Sequence, residues 1–276
     1  TPEAIEELKK IYGLDKPLYI QFFSWIYSIL QLDFGISFTS GEKVKEEILS
    51  RIPITLTINI VSMILIFIIS LYFGIKSAMK KNSIFDRFTN QLSLLSFSMP
   101  SFYLALVLVL VFSIKFELFP IAGLHSVPND GSLNYYLDFA WHLTLPIFII
   151  VFGGIGSLIL YIRALTIEIL KSDYIFFARA RGLDNKKILR YYILPNLYPP
   201  VITLLGLSLP GVIGGSVILE TIFSIDGMGL LFYQSALSHD YPVIMGILII
   251  GAFLTLIGNM FADLVLLKLN PNYNEK

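Results

Sequence analysis

The chain has 276 residues, of which 55% are apolar and only 14% are charged. A soluble domain normally carries about a quarter charged residues, so this composition argues against a water-soluble protein and favours an integral membrane protein. A formal net charge of zero gives no sign of a nucleic-acid binder, and the absence of cysteine excludes disulfides, thiolate metal sites and a cysteine nucleophile.

The first part of the chain predicts a small helical segment outside the membrane. Thr1-Pro2-Glu3 favours the start of a helix, and Gly13 favours its end. The stretch 17–32 has no charged residue but is short for a bilayer span, and its aromatic residues favour a helix at the membrane interface. Thr39-x-x-Glu42 predicts a capping box before a short charged helix.

Long gaps between charged residues predict membrane-spanning helices in the rest of the chain. Five gaps are long enough for the roughly 20 apolar residues that cross a bilayer as a helix. The predicted spans lie near residues 54–75, 92–114, 143–165, 197–219 and 243–267. The fold class is therefore an all-α integral membrane protein, a polytopic helical bundle.

Basic residues predict the orientation of these spans. Most lysines and arginines of the connections fall between the first and second spans and between the third and fourth. The positive-inside rule places both connections in the cytoplasm, together with the tail 269–276. Residues 1–53 are then an external segment before a membrane domain at 54–268, and we expect one further span upstream, six in all.

Small residues and prolines inside the spans indicate how the helices pack. Small residues four apart lie on one helix face and favour close approach of two helices in lipid. Such pairs are Gly153 and Ser157, Gly211 and Gly215, and Gly258 and Ala262. Proline interrupts backbone hydrogen bonding, as we expect at Pro100, and is tolerated where protein or water replaces the lost bond.

The connection 167–196 has the most unusual pattern in the chain. Ala178-Arg179-Ala180-Arg181 favours a helix, Gly182 tolerates a left-handed turn, and Asp184 can cap a second helix. The apolar residues of that second helix are spaced for one face, at Ile188, Leu189 and Tyr192. A helix, a glycine turn and a second helix suit docking into a groove of a partner. A solvated basic loop is the alternative on these residues alone.

This segment resembles the EAA loop of ABC-importer permeases, in which two alanines precede a glycine and an Ile-x-Leu-Pro element. Ala178 stands at the second alanine, Gly182 at the glycine, and Leu194-Pro195 at the Leu-Pro. Phe176 and Phe177 depart from the pattern at the glutamate and first alanine, and Tyr192 stands at the isoleucine.

The departures resemble the dipeptide, oligopeptide and nickel permeases in particular. The similarity to that family lies in Asp173-Tyr174 followed by Ala178-Arg179-Ala180-Arg181-Gly182-Leu183. Further similar segments follow in the family's order along almost the whole chain, at 13–38, 51–60, 95–113, 118–124, 142–147, 214–231 and 239–246.

The resemblance implies an ABC type I importer permease fold and ATP-driven import of di- or oligopeptides, with oligosaccharides or nickel as alternative substrates. The implied partners are a homologous second permease, two ATP-binding subunits and an external solute-binding protein, all at the cell membrane. The implied coupling residues are Asp173, Ala178, Arg179, Ala180, Arg181, Gly182, Leu183, Leu194 and Pro195. The chain has no Gly-x-x-x-x-Gly-Lys-[Ser/Thr] loop, so ATP hydrolysis is expected in partner chains. We expect no catalytic residue, cofactor or metal here.

Four polar residues are candidates for the solute path: Ser96, Ser98, Ser101 and Glu220. The serines flank Pro100 and either line an aqueous route or bond within their own kinked helix. Glu220 either marks the pathway or sits among lipid headgroups at a span boundary.

Two other classes of protein fit the sequence less well. A membrane hydrolase is disfavoured because the three histidines are not in metal-ligand spacing and there is no Gly-x-Ser-x-Gly motif. A channel or self-contained secondary transporter would place charged residues at mid-membrane, which the predicted spans lack.

Overall fold

The computed structural model describes residues 16–214 and 216–269, and these residues are helical apart from loops and an isolated bridge between Ile36 and Lys43. The helices are α1 Leu18–Leu30, α2 Val44–Met79, α3 Ile84–Ser98, α4 Ser101–Leu108, α5 Leu133–Leu170, α6 Asp173–Ala180, α7 Asn185–Ile188, α8 Leu194–Gly214, α9 Val217–Ile222, α10 Met228–Leu237 and α11 Tyr241–Leu269. Two π-helical segments, Val109–Lys115 and Leu189–Ile193, follow α4 and α7. The helix predicted from Thr1-Pro2-Glu3 to Gly13 lies outside the described residues.

Three helices among the described residues, α2, α5 and α11, are long and apolar enough to cross a membrane. They coincide with charge-free gaps of the sequence. Helices α2 and α5 have 36 and 38 residues, so at about 1.5 Å per residue they exceed a hydrocarbon core of roughly 30 Å. Both helices therefore protrude beyond it. Helix α8 overlaps the predicted span 197–219. That α8 crosses the membrane stays a prediction.

The second predicted span, 92–114, is not one straight helix. Helix α3 forms its first part, and α4 with the π-helical segment Val109–Lys115 forms its second part, with a bend of 99° between the two. Met99 is extended with ψ 121°, and Pro100 precedes the first residue of α4. Proline has no backbone N–H and disfavours a helical conformation at the residue before it, so the helix stops and restarts here.

The fourth predicted span, 197–219, is also interrupted. Helix α8 ends at Gly214, and α9 begins at Val217. Between them Ser216 is extended, and its hydroxyl accepts the backbone N–H of Leu219 as an N-cap. The prediction of a continuous helix through residue 219 was wrong, because a serine cap after two glycines starts a new helix.

The predicted capping box at Thr39 and Glu42 was also wrong. Helix α2 begins at Val44 after Lys43, with no side-chain cap, and runs without interruption into the first span. The backbone N–H of Thr39 donates instead to Asp240 at 3.1 Å. The Asp240 carboxylate thus accepts the Thr39 N–H that the Glu42 side chain would accept in a capping box.

Close helix approach in the bundle depends on glycines that the four-residue pattern did not identify. A Cβ on Gly74 of α2 would lie 2.8 Å from the Ile162 side chain of α5, and one on Gly156 would lie 2.5 Å from the Ser93 carbonyl oxygen of α3. A Cβ on Gly153 would meet nothing within 4 Å in this chain. Helices α2, α3 and α5 therefore form a tightly packed unit, with α8 against α2 and α11.

Helix α1 confirms the predicted helix near 17–32, and none of its residues is buried. Its aromatic residues are largely exposed, as Phe23 at 66% and Tyr27 at 65% show. Its placement at the membrane interface stays a prediction.

Candidate functional site

The predicted turn at Gly182 is confirmed. Helix α6 ends in a Schellman motif, in which the N–H of Leu183 donates to the Ala178 carbonyl and that of Gly182 to the Arg179 carbonyl. Gly182 has a φ of +79°, which lies in the left-handed region that glycine adopts without steric cost. The chain therefore reverses direction sharply at this residue.

A second cap starts the following helix. The Asp184 carboxylate accepts the backbone N–H of Lys187 at 3.0 Å, as the sequence predicts. The rings of Tyr174 and Tyr192 stack across the turn, with their centroids 6.2 Å apart, and connect the helix before Gly182 to the helical segment after it. We name residues 173–193 the Gly182 segment. Helix α7, the π-helical turn after it and α8 are continuous, so the segment leads directly into α8.

The Gly182 segment sits on a buried apolar core. Its Ile175, Ala178, Ile188 and Ile193 are each 2% exposed or less. They pack in one cluster with residues of three other helices, namely Phe67, Ile75, Ile162, Leu197 and Val201. The segment is thus fixed to α2, α5 and α8 and is not a loose loop.

The opposite face of the Gly182 segment is exposed. Phe176 and Phe177 are 69% and 64% exposed and contact each other edge to face. Asp173, Arg179, Ala180 and Arg181 are also exposed, while Leu183 is half-buried. Leu194 and Pro195 form the first turn of α8 beyond the segment. The predicted coupling residues therefore divide into those that pack against the bundle and those on an exposed face. We call the buried cluster under the Gly182 segment its seat: Phe67, Ile75, Ile162, Ile175, Ala178, Ile188, Ile193, Leu197 and Val201.

A buried ion pair next to this seat was missed by the sequence analysis. Asp86 of α3 is 2% exposed and binds the Arg163 guanidinium of α5 through both oxygens, at 2.6 and 2.9 Å. Its carboxylate also accepts the Ser77 hydroxyl, the Asn82 backbone N–H and the Asn90 side chain. We call these five residues the Asp86 network. Arg163 adjoins Ile162 of the seat, so the network ties α3 and α2 to α5 at this end of the bundle.

A second buried carboxylate lies in another part of the bundle. Glu220 of α9 is 4% exposed and accepts the Thr55 hydroxyl of α2 at 3.2 Å and the Leu230 backbone N–H at 2.9 Å. The Thr55 oxygen in turn accepts the Met228 backbone N–H at 2.9 Å. We call these four residues the Glu220 network. A Cβ on Gly227 or Gly229 would lie 2.6 or 2.9 Å from a Glu220 carboxylate oxygen, so both glycines leave room for it.

The family model for the binding-protein-dependent transport system inner membrane component matches residues 70–275. That range covers most of the chain, including α3 to α11 and the whole Gly182 segment. The chain belongs to this family. It is therefore a permease, the transport subunit of an ABC importer, and ATP hydrolysis lies in separate subunits.

Sequence relatives of this permease agree with the family. It is 37% identical over 267 residues to the oligopeptide transport system permease protein AppB of Bacillus subtilis, covering 96% of this chain and 84% of AppB. It is 32% identical to the peptidoglycan transport system permease protein YejB of Agrobacterium fabrum, covering 98% and 76%. It is 30% identical to the metal-staphylopine import system permease protein CntB of Staphylococcus aureus, covering 100% and 84%.

A solved structure supports the fold. The permease matches a chain of the MetNI methionine ABC transporter in an inward-facing conformation, with a TM-score of 0.63 and 17% sequence identity. The match covers 81% of this permease and 96% of that chain. The predicted type I importer permease fold and the resemblance to dipeptide and oligopeptide permeases are both confirmed. A permease of this family is a multi-pass inner membrane component that works with a partner permease, ATPase subunits and a solute-binding protein.

The structure separates the four candidate path residues of the permease. Ser96 is 1% exposed, and its hydroxyl donates to the Phe152 carbonyl of α5. It therefore joins two helices, whereas Ser98 and Ser101 are exposed on either side of the 99° bend. Glu220 belongs to its own network in a different region.

Proposed function

We propose that this permease imports di- or oligopeptides and forms the translocation path with a homologous second permease, driven by two ATP-binding subunits. Similarity to AppB, an oligopeptide permease, over 96% of this chain supports the substrate class. The Gly182 segment supports the coupling to ATPase subunits, because one of its faces is exposed and the other is buried in the bundle.

The exposed face of the Gly182 segment is the proposed contact with an ATPase subunit. Phe176 and Phe177 supply a projecting apolar surface, and Arg179 and Arg181 supply positive charge beside it. Ala178 and Leu183 contribute differently, since they pack against the permease itself and fix the angle of the segment. A movement of the ATPase would then reach α2, α5 and α8 through a packed contact.

The end of the bundle that carries the Gly182 segment is proposed to face the cytoplasm, as does the C-terminus. The basic residues of two connections support this orientation, because cytoplasmic loops of membrane proteins are enriched in lysine and arginine. They are Lys76, Lys80, Lys81, Arg87, Lys171, Arg179, Arg181, Lys186, Lys187 and Arg190.

For the path itself, the exposed serines at the helix bend are the better candidates. Ser98 and Ser101 flank Pro100, where backbone groups released by the bend also become available to a passing solute. Ser96 and Glu220 are enclosed by their own chain, which favours an anchoring role for both.

Substitution of Gly182 tests the coupling proposal. Gly182→Val forces a β-branched residue into the left-handed conformation at a cost of about 1–2 kcal/mol, although the space around the Cβ position is open. We expect ATP-driven uptake by the reconstituted importer to fall strongly, with the permease still inserted. Gly182→Asn is the matched control, because asparagine tolerates this conformation, and it should retain most of the uptake.

Two results would overturn the coupling proposal. One is normal ATP-coupled uptake by Gly182→Val. The other is solute movement by liposomes that contain this permease alone, which would indicate a self-contained channel or secondary transporter.

A metal chelate is the second candidate substrate, since CntB carries the name of a metal-staphylopine importer and is similar over the whole chain. Uptake of a labelled tripeptide should be competed by unlabelled peptides and unaffected by nickel chelates. The reverse pattern would replace the peptide proposal and leave the coupling proposal intact.

A further inference from the structure

An open groove lies where α2 meets the Gly182 segment and the first turn of α8. It has a volume of about 480 Å³. Its lining is mostly apolar and includes Leu71, Ile75, Met79, Leu189 and Leu194. The groove therefore begins on a membrane-spanning helix and ends at the segment that we propose to contact the ATPase.

Two lysines lie at this groove, near the end of α2. Lys76 is held in place, because its ammonium donates to the Tyr72 hydroxyl at 2.6 Å and lies 4.9 Å from the centre of the Phe85 ring. Lys80 follows one turn later and is exposed. An aromatic face and a hydroxyl orient the Lys76 cation without neutralising it.

No acidic side chain lines the groove within the described part of the chain. Across those residues neither lysine forms an ion pair with a carboxylate. The acids nearest in sequence have other partners, since Asp86 binds Arg163 and Asp184 caps α7. The groove thus combines an apolar trough with uncompensated positive charge at the end of a membrane-spanning helix.

We propose that this groove binds an anionic phospholipid. Its phosphate would lie between Lys76 and Lys80, and one acyl chain would lie along Leu71, Ile75 and Leu189. Charge complementarity identifies this occupant, because a zwitterionic lipid brings a cation that the two lysines repel, and basic pockets at helix ends bind anionic headgroups. A lipid in this position bridges α2 and the Gly182 segment. It would stabilise their contact independently of which solute the importer carries.

Lipid retention by the purified full-length chain tests the proposal. Native mass spectrometry in detergent would compare phosphatidylglycerol with phosphatidylcholine of the same acyl chains. We expect wild type to retain phosphatidylglycerol preferentially, and Lys76→Gln/Lys80→Gln to lose about tenfold or more of that retention. Lys45→Gln/Lys115→Gln is the matched control, since it removes equal charge from exposed lysines elsewhere and should behave like wild type.

A charge-preserving variant and a soluble probe sharpen the test. Lys76→Arg/Lys80→Arg should retain phosphatidylglycerol, which separates loss of charge from loss of folding. Glycerol 3-phosphate should not displace the lipid, because it lacks the acyl chain that fills the trough.

Four outcomes of the retention experiments would overturn the proposal. They are equal retention of the two lipids by wild type, equal loss in both glutamine double variants, loss in the arginine double variant, and displacement by glycerol 3-phosphate. In the assembled importer, a photo-cross-linker at position 80 should label lipid. Labelling of a partner chain would show that protein covers the groove and would also reject the lipid.

Discussion

The Asp86 network and the Glu220 network bury one carboxylate each, but they compensate its charge in different ways. Asp86 has a full positive charge against both oxygens, supplied by Arg163 at 2.6 and 2.9 Å. Glu220 accepts hydrogen bonds from a threonine hydroxyl and a backbone N–H, and in the part of the chain that the structure describes it forms no ion pair.

This difference has consequences for substitution. Loss of one member of a buried ion pair leaves the other as an uncompensated charge, which is costly. Loss of one hydrogen bond from an uncharged donor costs less. One substitution in the Asp86 network is thus expected to lower the free energy of unfolding strongly, at the end of the bundle that holds the Gly182 segment. One substitution in the Glu220 network is expected to lower it less.

The largest effect is expected for Asp86→Ala. It leaves the mostly buried Arg163 guanidinium without its carboxylate, and we expect the free energy of unfolding to fall by about 3–5 kcal/mol. Denaturant unfolding of the purified permease in micelles measures the loss. The double variant Asp86→Ala/Arg163→Ala should cost less than the sum of the single variants. Additive losses would contradict a specific pair, and Glu42→Ala at an exposed site should be close to neutral.

A smaller effect is expected for Glu220→Gln. In one orientation the amide N–H donates to the Thr55 oxygen, and the Thr55 hydroxyl proton loses its acceptor. In the other orientation the amide N–H faces the Leu230 backbone N–H. Either way one donor is left unpaired, at a cost of about 1–2 kcal/mol. The same unfolding experiment measures it, with exposed Glu42→Gln as the control. A loss as large as that of Asp86→Ala would show that Glu220 has a charged partner and would remove the contrast.

The smallest effect concerns Asp240, which lies just before α11. Burial raises the pKa of this carboxyl, but hydrogen bonds from Ser37 at 2.6 Å and from the Thr39 backbone outweigh it and hold the pKa below the usual value. A lowered pKa contributes stability above about pH 4 that is lost as the pH falls through the folded-state pKa. Ser37→Ala should cost about 1 kcal/mol at neutral pH.

The free-energy cost of Ser37→Ala should decrease as the pH falls. Protonation of Asp240 removes more stability from wild type than from the variant, because the variant lacks the Ser37 hydrogen bond to the carboxylate. Thermal unfolding of wild type and Ser37→Ala at about pH 7 and about pH 3 gives the comparison. A difference between the two proteins that does not change with pH would exclude the linkage.

Local features of the sequence predicted local features of the structure well. The charge gaps located α2, α5 and α11, since hydropathy follows from residue type alone. Gly182 and Asp184 were also predicted correctly, because a left-handed turn and an N-cap depend on residues within a few positions. The interruption at Pro100 was anticipated, but the 99° angle was not, because neighbouring helices determine the direction of a bend.

Features that depend on distant residues were missed or misassigned. Asp86 and Arg163 are 77 residues apart, and no local sequence pattern singles out either of them as a partner of the other. The Thr39 cap failed for a similar reason, because Asp240, 201 residues away, binds the Thr39 backbone. Choice of partner among many charged and polar groups is a property of the folded packing, which no single segment encodes.

The unbroken helical path from Asn185 through the π-helical turn to Gly214 has a mechanical consequence. At about 1.5 Å per residue such a rod is roughly 40 Å long, which is comparable to the full thickness of a bilayer. A tilt of about 5° at one end displaces the far end by roughly 3.5 Å. In the predicted crossing of α8, a small rotation of the Gly182 segment would therefore appear on the other side of the bilayer as a displacement of about one atomic diameter.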